Sequence, residues 1–246
     1  MDIEFIDQKY SYENTSLVEL IPTNEWSNSF FKSQIKNLKT INKELTNDLK
    51  KYKKNIYPSI ENVFNIFYLL PPQKIKVVIF GMSPYESVDK KTKKNNATGI
   101  AFSIPKGRKM NSSVRNFLKE LKDCGYKVDL KNGNLMKLVD QGVFLCNVSL
   151  TVREGKADSH LEMYDQFTNN LMIYLNELNV VYLLWGRKAQ GYKKNIKKKE
   201  NVIECSHCSG LSNTKTDKPF TGSRCFLKAN EKLKKLGLEE VNWDTV

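Results

Sequence analysis

The sequence holds no apolar run of about 18 residues, the length a helix needs to cross a bilayer. It has no internal repeat and no Gly/Ser-rich linker, so neither a solenoid nor a chain of tethered modules is expected. Neither GxGxxG nor a P-loop is present, which argues against the commoner nucleotide-binding α/β proteins. The opening MDIEFIDQKYSYEN is acidic and polar and shows no secretory signal. The five cysteines, Cys124, Cys146, Cys205, Cys208 and Cys225, form no paired framework. They read as reduced thiols of a cytoplasmic protein, in a bacterium or, for a viral protein, in the host cytoplasm or nucleus. Cys205 and Cys208 have CxxC spacing, but no second CxxC or HxxxH supplies the other ligands of a zinc site.

What the chain does have is 246 residues with 40% apolar content, enough for one sizeable core. Forty Lys and Arg against 27 Asp and Glu leave a net charge of +13, which favours a polyanionic partner, nucleic acid first. A Lys- and Asn-rich composition also suits a low-GC bacterium, a mobile element or a large DNA virus.

Residues 24–54 space Trp26, Phe30, Phe31, Ile35, Leu38 and Ile41 as a helix does. Four short apolar runs follow: KVVIF (76–80), VFLCNVSL (143–150), VVYLLWG (180–186) and NVIEC (201–205). Helical patterns lie between and after them, at 113–123, 162–177, 187–197 and 223–236. Alternating strands and helices predict a parallel sheet with helices on both faces. Residues 1–56 are expected to form a helical extension packed on an α/β domain at 57–246.

Ligands of such sheets bind beyond the carboxyl ends of the strands. That rule selects the loop GMSPYES (81–87), the strand end at Asn147, the turn at Gly186 and Arg187, and the segment from Ser206 and His207. Asn147 interrupts an apolar strand. A buried amide there is a structural tie or a ligand reader. His207 alone is ambiguous, and Ser112 or Ser113 is a natural N-cap for the helix VRNFLKEL.

Several motifs, in order, resemble those of the family 1 uracil-DNA glycosylases over about residues 57–243. GMSPYES stands where that family has GQDPYH, and TGIAFSIP (98–105) is similar to its GLAFSV segment. QGVFLCNVSLTVREGKADSH (141–160) resembles LLLNxxLTVxxxxxxSH, YLLWGRKAQ (182–190) resembles FLLWGxxAQ, and SHCSGLS (206–212) stands at HPSPLS. The resemblance implies a three-layer α/β/α fold around a four-stranded parallel sheet, and hydrolysis of uracil from DNA without metal or organic cofactor. Such chemistry requires the base to leave the stack for a pocket. By resemblance, Asn147 reads the uracil edge, Phe102 stacks on its face, and Tyr85 walls off the C5 position, with Met82 beside the base. His207 donates to the uracil oxygen that gains charge. Leu211 enters the gap in the duplex. Ser113, Ser209, Ser212, Pro84, Gly186 and Arg187 contact the DNA backbone. Phe102 also reads as plain core, and the serines as turn or cap residues.

The departures gather at the expected water site. Ser83 replaces the family's aspartate, Met82 its glutamine and Glu86 its histidine. Serine positions a water but carries no negative charge, and losing one preorganised electrostatic group costs about 3–4 kcal/mol of barrier. GMSP is similar to the GMNP of the wider superfamily, where a neutral amide occupies this position and activity persists. Three readings follow: a slower glycosylase with water on Ser83; a glycosylase with Glu86 or Asp89 as substitute base; or an inactive module that binds uracil-containing or single-stranded DNA. The first predicts that Ser83→Asp raises the rate. A monomer is expected, with DNA as partner; a DNA-mimicking inhibitor and a replication partner are left open.

Overall fold

The computed structural model describes residues 10–246, with the side chain of Leu211 excepted. The acidic opening of the chain, expected to carry no secretory signal, lies mostly outside them. A wide turn at Ser27–Phe31 leads into helix α1 (Lys32–Tyr52). Strand β1 (Ile56–Tyr57), helix α2 (Asn65–Leu69) and strand β2 (Val77–Gly81) follow. Next come helices α3 (Ser112–Asp123) and α4 (Met136–Asp140), then strands β3 (Val143–Asn147) and β4 (Val152–Arg153). Helix α5 (Leu161–Leu175), strand β5 (Val181–Trp185), helix α6 (Gly186–Gln190), strand β6 (Val202–Cys205) and helix α7 (Cys225–Lys235) complete the order.

The four apolar runs form one parallel sheet in the order β3-β2-β5-β6. Strands β2, β3 and β5 are buried along their whole length, which is why they read as continuous apolar runs rather than alternating ones. Register puts Phe144, Val78 and Tyr182 side by side on one face. Trp185, an odd number of residues from Tyr182, therefore faces the other way.

Each face carries its own aromatic layer. On the first, Trp26 stacks on Phe144 at 5.6 Å and meets Phe67 of α2 at 5.0 Å, while Phe30 meets Phe167 of α5 at 5.3 Å. On the second, Trp185 meets Phe117 of α3 at 5.3 Å, Phe226 of α7 at 6.0 Å and Phe220 at 4.9 Å. The fold is thus three-layered α/β/α. The boundary expected after residue 56 falls inside β1, which pairs with β4 in a small antiparallel ribbon that the sequence did not reveal. Helix α3 is capped by Asn111, whose side chain accepts from the Val114 N–H at 3.0 Å, rather than by Ser112 or Ser113. The pattern read at 187–197 divides into short α6 and a tighter turn at Gly191–Asn195.

Candidate active site

The strand ends open into a cavity of about 550 Å³, within the usual range for a small-molecule site. The loop after β2 forms one wall and is tied down by β3, whose continuation donates from Val148 N to Gly81 O at 2.8 Å and from Ser149 N to Met82 O at 2.9 Å. Met82, Ser83, Pro84, Tyr85 and Glu86 all line the cavity.

Gly81 and Asn147 are partners in register across β2 and β3. A Cβ at Gly81 would lie 2.3 Å from Asn147 Oδ1, so only glycine lets this amide occupy its position. Asn147 is 8% exposed and lines the cavity. Its side-chain amide has no hydrogen-bond partner among the described residues, so a structural tie does not explain its place.

Phe102 and Tyr85 are locked together. Phe102 has φ +64°, a strained conformation for a bulky residue. The Tyr85 hydroxyl donates to the Phe102 carbonyl at 2.9 Å. Behind the Phe102 ring stands Trp185, at 5.4 Å between centroids. Burial pushes the Tyr85 phenol well above its ordinary value, so the hydroxyl remains a donor.

His207 follows β6, on the opposite wall. The Ser209 backbone N–H donates to its Nδ1 at 3.1 Å, which makes Nδ1 an acceptor and puts the ring proton on Nε2. The Ser209 hydroxyl also sits 2.7 Å from Nδ1. Burial lowers the ring's pKa, opposed in part by the field of Asp158. The result is a neutral imidazole with an Nε2–H to donate, 6.4 Å from the Phe102 ring.

One residue here was not anticipated from the sequence. Asp158, on the turn between β4 and α5, lines the cavity. Its Oδ1 accepts from Ser83 Oγ at 3.0 Å, and its own N–H donates back to Ser83 Oγ at 3.3 Å. Lys188 Nζ stands 2.5 Å from the other carboxylate oxygen. The only sequence signal was an acid placed immediately before the SH of the quoted motif, in a stretch that the resemblance leaves free.

Not every candidate converges. Asp89 lies outside the cavity: its carboxylate accepts from Lys91 N at 2.9 Å and Thr92 N at 2.8 Å and closes a turn of the basic 87–97 loop. Those bonds hold its pKa down. As a substitute base it is corrected by this placement. Ser113, Ser209, Gly186 and Arg187 line the cavity, whereas Ser212 turns inward and donates to Ser209 O at 2.7 Å. Leu211 belongs to the turn Gly210–Asn213, and its side chain lies outside the described set. Cys205 and Cys208 are buried thiols, and burial pushes Cys208 up to about 12. Among the described residues no group of three or more His, Cys, Asp or Glu could hold a metal ion.

Fold and cavity together define an α/β/α protein whose strand ends bring an amide, an aromatic ring and a neutral imidazole to one cavity. Comparison with known proteins narrows the class. The profile of the Uracil DNA glycosylase superfamily matches residues 67–234. The uracil-DNA glycosylase of Bacillus cytotoxicus is 38% identical over 193 residues, covering 76% of this chain and 81% of that protein. That of Bacillus mycoides is 39% identical over 194 residues, covering 77% and 82%. The crystal structure of mimivirus uracil-DNA glycosylase superposes with a TM-score of 0.85 at 27% identity, covering 94% of this chain and 90% of that one. The chain belongs to the uracil-DNA glycosylase superfamily.

Proposed function

We propose that the protein is a uracil-DNA glycosylase, which draws uracil out of the DNA stack and hydrolyses its N-glycosidic bond at the start of base excision repair. The observation that carries this reading is the Asn147 amide, buried at the strand ends without a partner among the described residues and lining a cavity roomy enough for a base and its sugar. An amide donates and accepts along one edge, as a uracil edge requires. Phe102 supplies the stacking face. Tyr85 supplies the wall against a C5 methyl, a steric exclusion that a merely apolar pocket could not match. As the C1′–N1 bond lengthens, negative charge grows on uracil, and the neutral His207 stabilises it by donating from Nε2. Water then adds to C1′.

Leu211 takes the place of the flipped nucleotide, while Ser113, Ser209, Pro84, Gly186 and Arg187, which line the cavity, contact phosphates and sugars; Ser212, its proton spent on Ser209 O, steadies that turn instead. Lys90, Lys91, Lys93 and Lys94 are exposed on the adjoining loop and add charge for the DNA backbone. With Ser83 at the centre of the loop, the rate is lower than in family members with an aspartate there. A binding-only module is the second reading, favoured by that neutral serine. A variant of mimivirus UNG has been solved in complex with UGI, which supports a protein inhibitor as a further partner.

Uracil release from a single-uracil oligonucleotide, single- and double-stranded, tests the reading. Release is expected from wild type in the presence of EDTA, with a large loss in His207→Ala prepared identically. Tight binding of uracil-containing DNA without release, even at stoichiometric protein, would establish the binding module instead.

A further inference from the structure

Asp158 and Ser83 stand 75 residues apart in sequence yet share two hydrogen bonds inside the cavity. A serine hydroxyl has one proton and two lone pairs. The proton of Ser83 goes to Asp158 Oδ1 and one lone pair accepts the Asp158 N–H. One lone pair is left, and it can accept only a proton donor such as water. Asp158 itself is held from three sides. Its Oδ2 meets Lys188 on α6 at 2.5 Å. Its turn docks on the Ser83 loop through Gly155 N to Glu86 O at 2.9 Å. The same turn is closed by the Ser159 hydroxyl, which accepts from Arg153 N at 2.8 Å. Asp158 has φ +60°, a conformation that Asp and Asn tolerate better than most residues.

We infer that Ser83 and Asp158 form a two-residue proton relay that replaces a carboxylate in the loop, with Lys188 positioning the acid. Water on the free Ser83 lone pair forms its bond to C1′ while the C1′–N1 pair departs with uracil. The water's proton passes to Ser83 Oγ as the Ser83 proton passes to Asp158 Oδ1. Asp158 then returns the proton to solvent, solvent protonates the released uracil anion, and the products are uracil and an abasic sugar. The negative charge opposite the cationic sugar is kept, one hydroxyl farther away. Asp158 acts through Ser83 and is a positioning and proton-accepting residue. The inference rests on the glycosylase reading.

It also changes what Ser83→Asp should do. Beside Asp158, a second carboxylate meets a like charge, and one of the two takes up a proton. The substitution is therefore expected to bring no gain in wild type and a gain when Asp158 is neutral. Asp158→Asn is the informative variant, because Asn is isosteric and also tolerates a positive φ. Single-turnover release from a single-uracil oligonucleotide is expected to fall about 100-fold in kcat, with KM and Tm close to wild type. Ser83→Asp in the Asp158→Asn background is expected to recover at least about tenfold, by restoring one carboxylate. Asp158→Asn within about threefold of wild type, or loss in Glu86→Gln with Asp158→Asn active, would overturn the relay and leave the glycosylase standing. A parallel fall of activity and Tm without recovery by Ser83→Asp would make Asp158 structural and overturn it as well. No release by wild type would sink the glycosylase reading and the relay together.

Discussion

The chain has two histidines, and they occupy opposite kinds of site. His160 is fully buried, its Nδ1 lying 2.9 Å from Thr151 Oγ1 and its Nε2 3.4 Å from Asp48 Oδ2. Arg153 binds the same carboxylate with Nε at 2.9 Å from Oδ2 and with Nη2 on Oδ1, and its guanidinium lies over the Tyr52 ring. This knot joins α1 to the β4–α5 segment. His207 has its Nδ1 closed by Ser209 but its other face toward the cavity. Burial lowers both rings' pKa, His160 against the pull of Asp48 and His207 against that of Asp158. Similar electrostatics thus serve different ends. A histidine sealed inside the fold stabilises it, and one whose ring lines the cavity can do chemistry.

That contrast is open to breaking. The largest effect is expected from Asp48→Ala. Burial pushes its carboxyl up, but Arg153 and His160 outweigh burial and hold it below the ordinary value. Removing it strands a partly buried arginine and is expected to cost about 3 kcal/mol, the low end for breaking a buried ion pair, read by denaturant unfolding. His207→Ala should do the converse, lowering kcat about 100- to 1,000-fold with almost no change in Tm. A large Tm loss there would erase the distinction. Gly81→Ala should fall between them. Its Cβ would displace the Asn147 amide, so uracil release should drop by more than stability does. His160→Ala should cost about 1–3 kcal/mol through the buried space it empties and the Thr151 and Asp48 contacts it removes, with kcat kept in the protein that remains folded.

The smallest effect is the pH dependence. Both histidines have folded pKa values below the unfolded value of 6.5. The unfolded chain therefore binds protons first as pH falls, so stability is intact above that value and declines as pH drops through the folded values. Asp48, lowered from 3.8, adds a second decline at more acid pH. In His160→Ala the first decline should be shallower. An unchanged slope would place the effect on other groups.

How far the sequence reached depended on whether a residue's role was local. The strands at 77–81, 143–147, 181–185 and 202–205 lie within or one residue beyond the apolar runs, because a buried parallel strand has no polar face to blur its pattern. Asn147 and His207 stood out for a related reason, a polar group at the end of an apolar run. The β1–β4 ribbon was illegible because two-residue strands carry no period. The cap at Asn111 was missed because three polar residues in a row offered equivalent caps. Asp89 lies near the loop in sequence, yet its carboxylate is claimed by its own turn.

Composition, periodicity and motif order by themselves determined the class of this protein: its basic charge, its parallel sheet, its glycosylase ancestry and the neutral residue at the centre of its first loop. These are properties of one segment at a time, and solvent exclusion along a strand or a helix face writes them into the chain. Only the tertiary structure decided which carboxylate answers for Ser83, which histidine keeps a nitrogen for the cavity, and why residue 81 is glycine. The Ser83–Asp158 hydrogen bond at 3.0 Å, the His160–Asp48 contact and the Gly81–Asn147 approach each join groups remote in sequence, and contacts that short are selective because attraction weakens, or overlap sets in, steeply once geometry is lost.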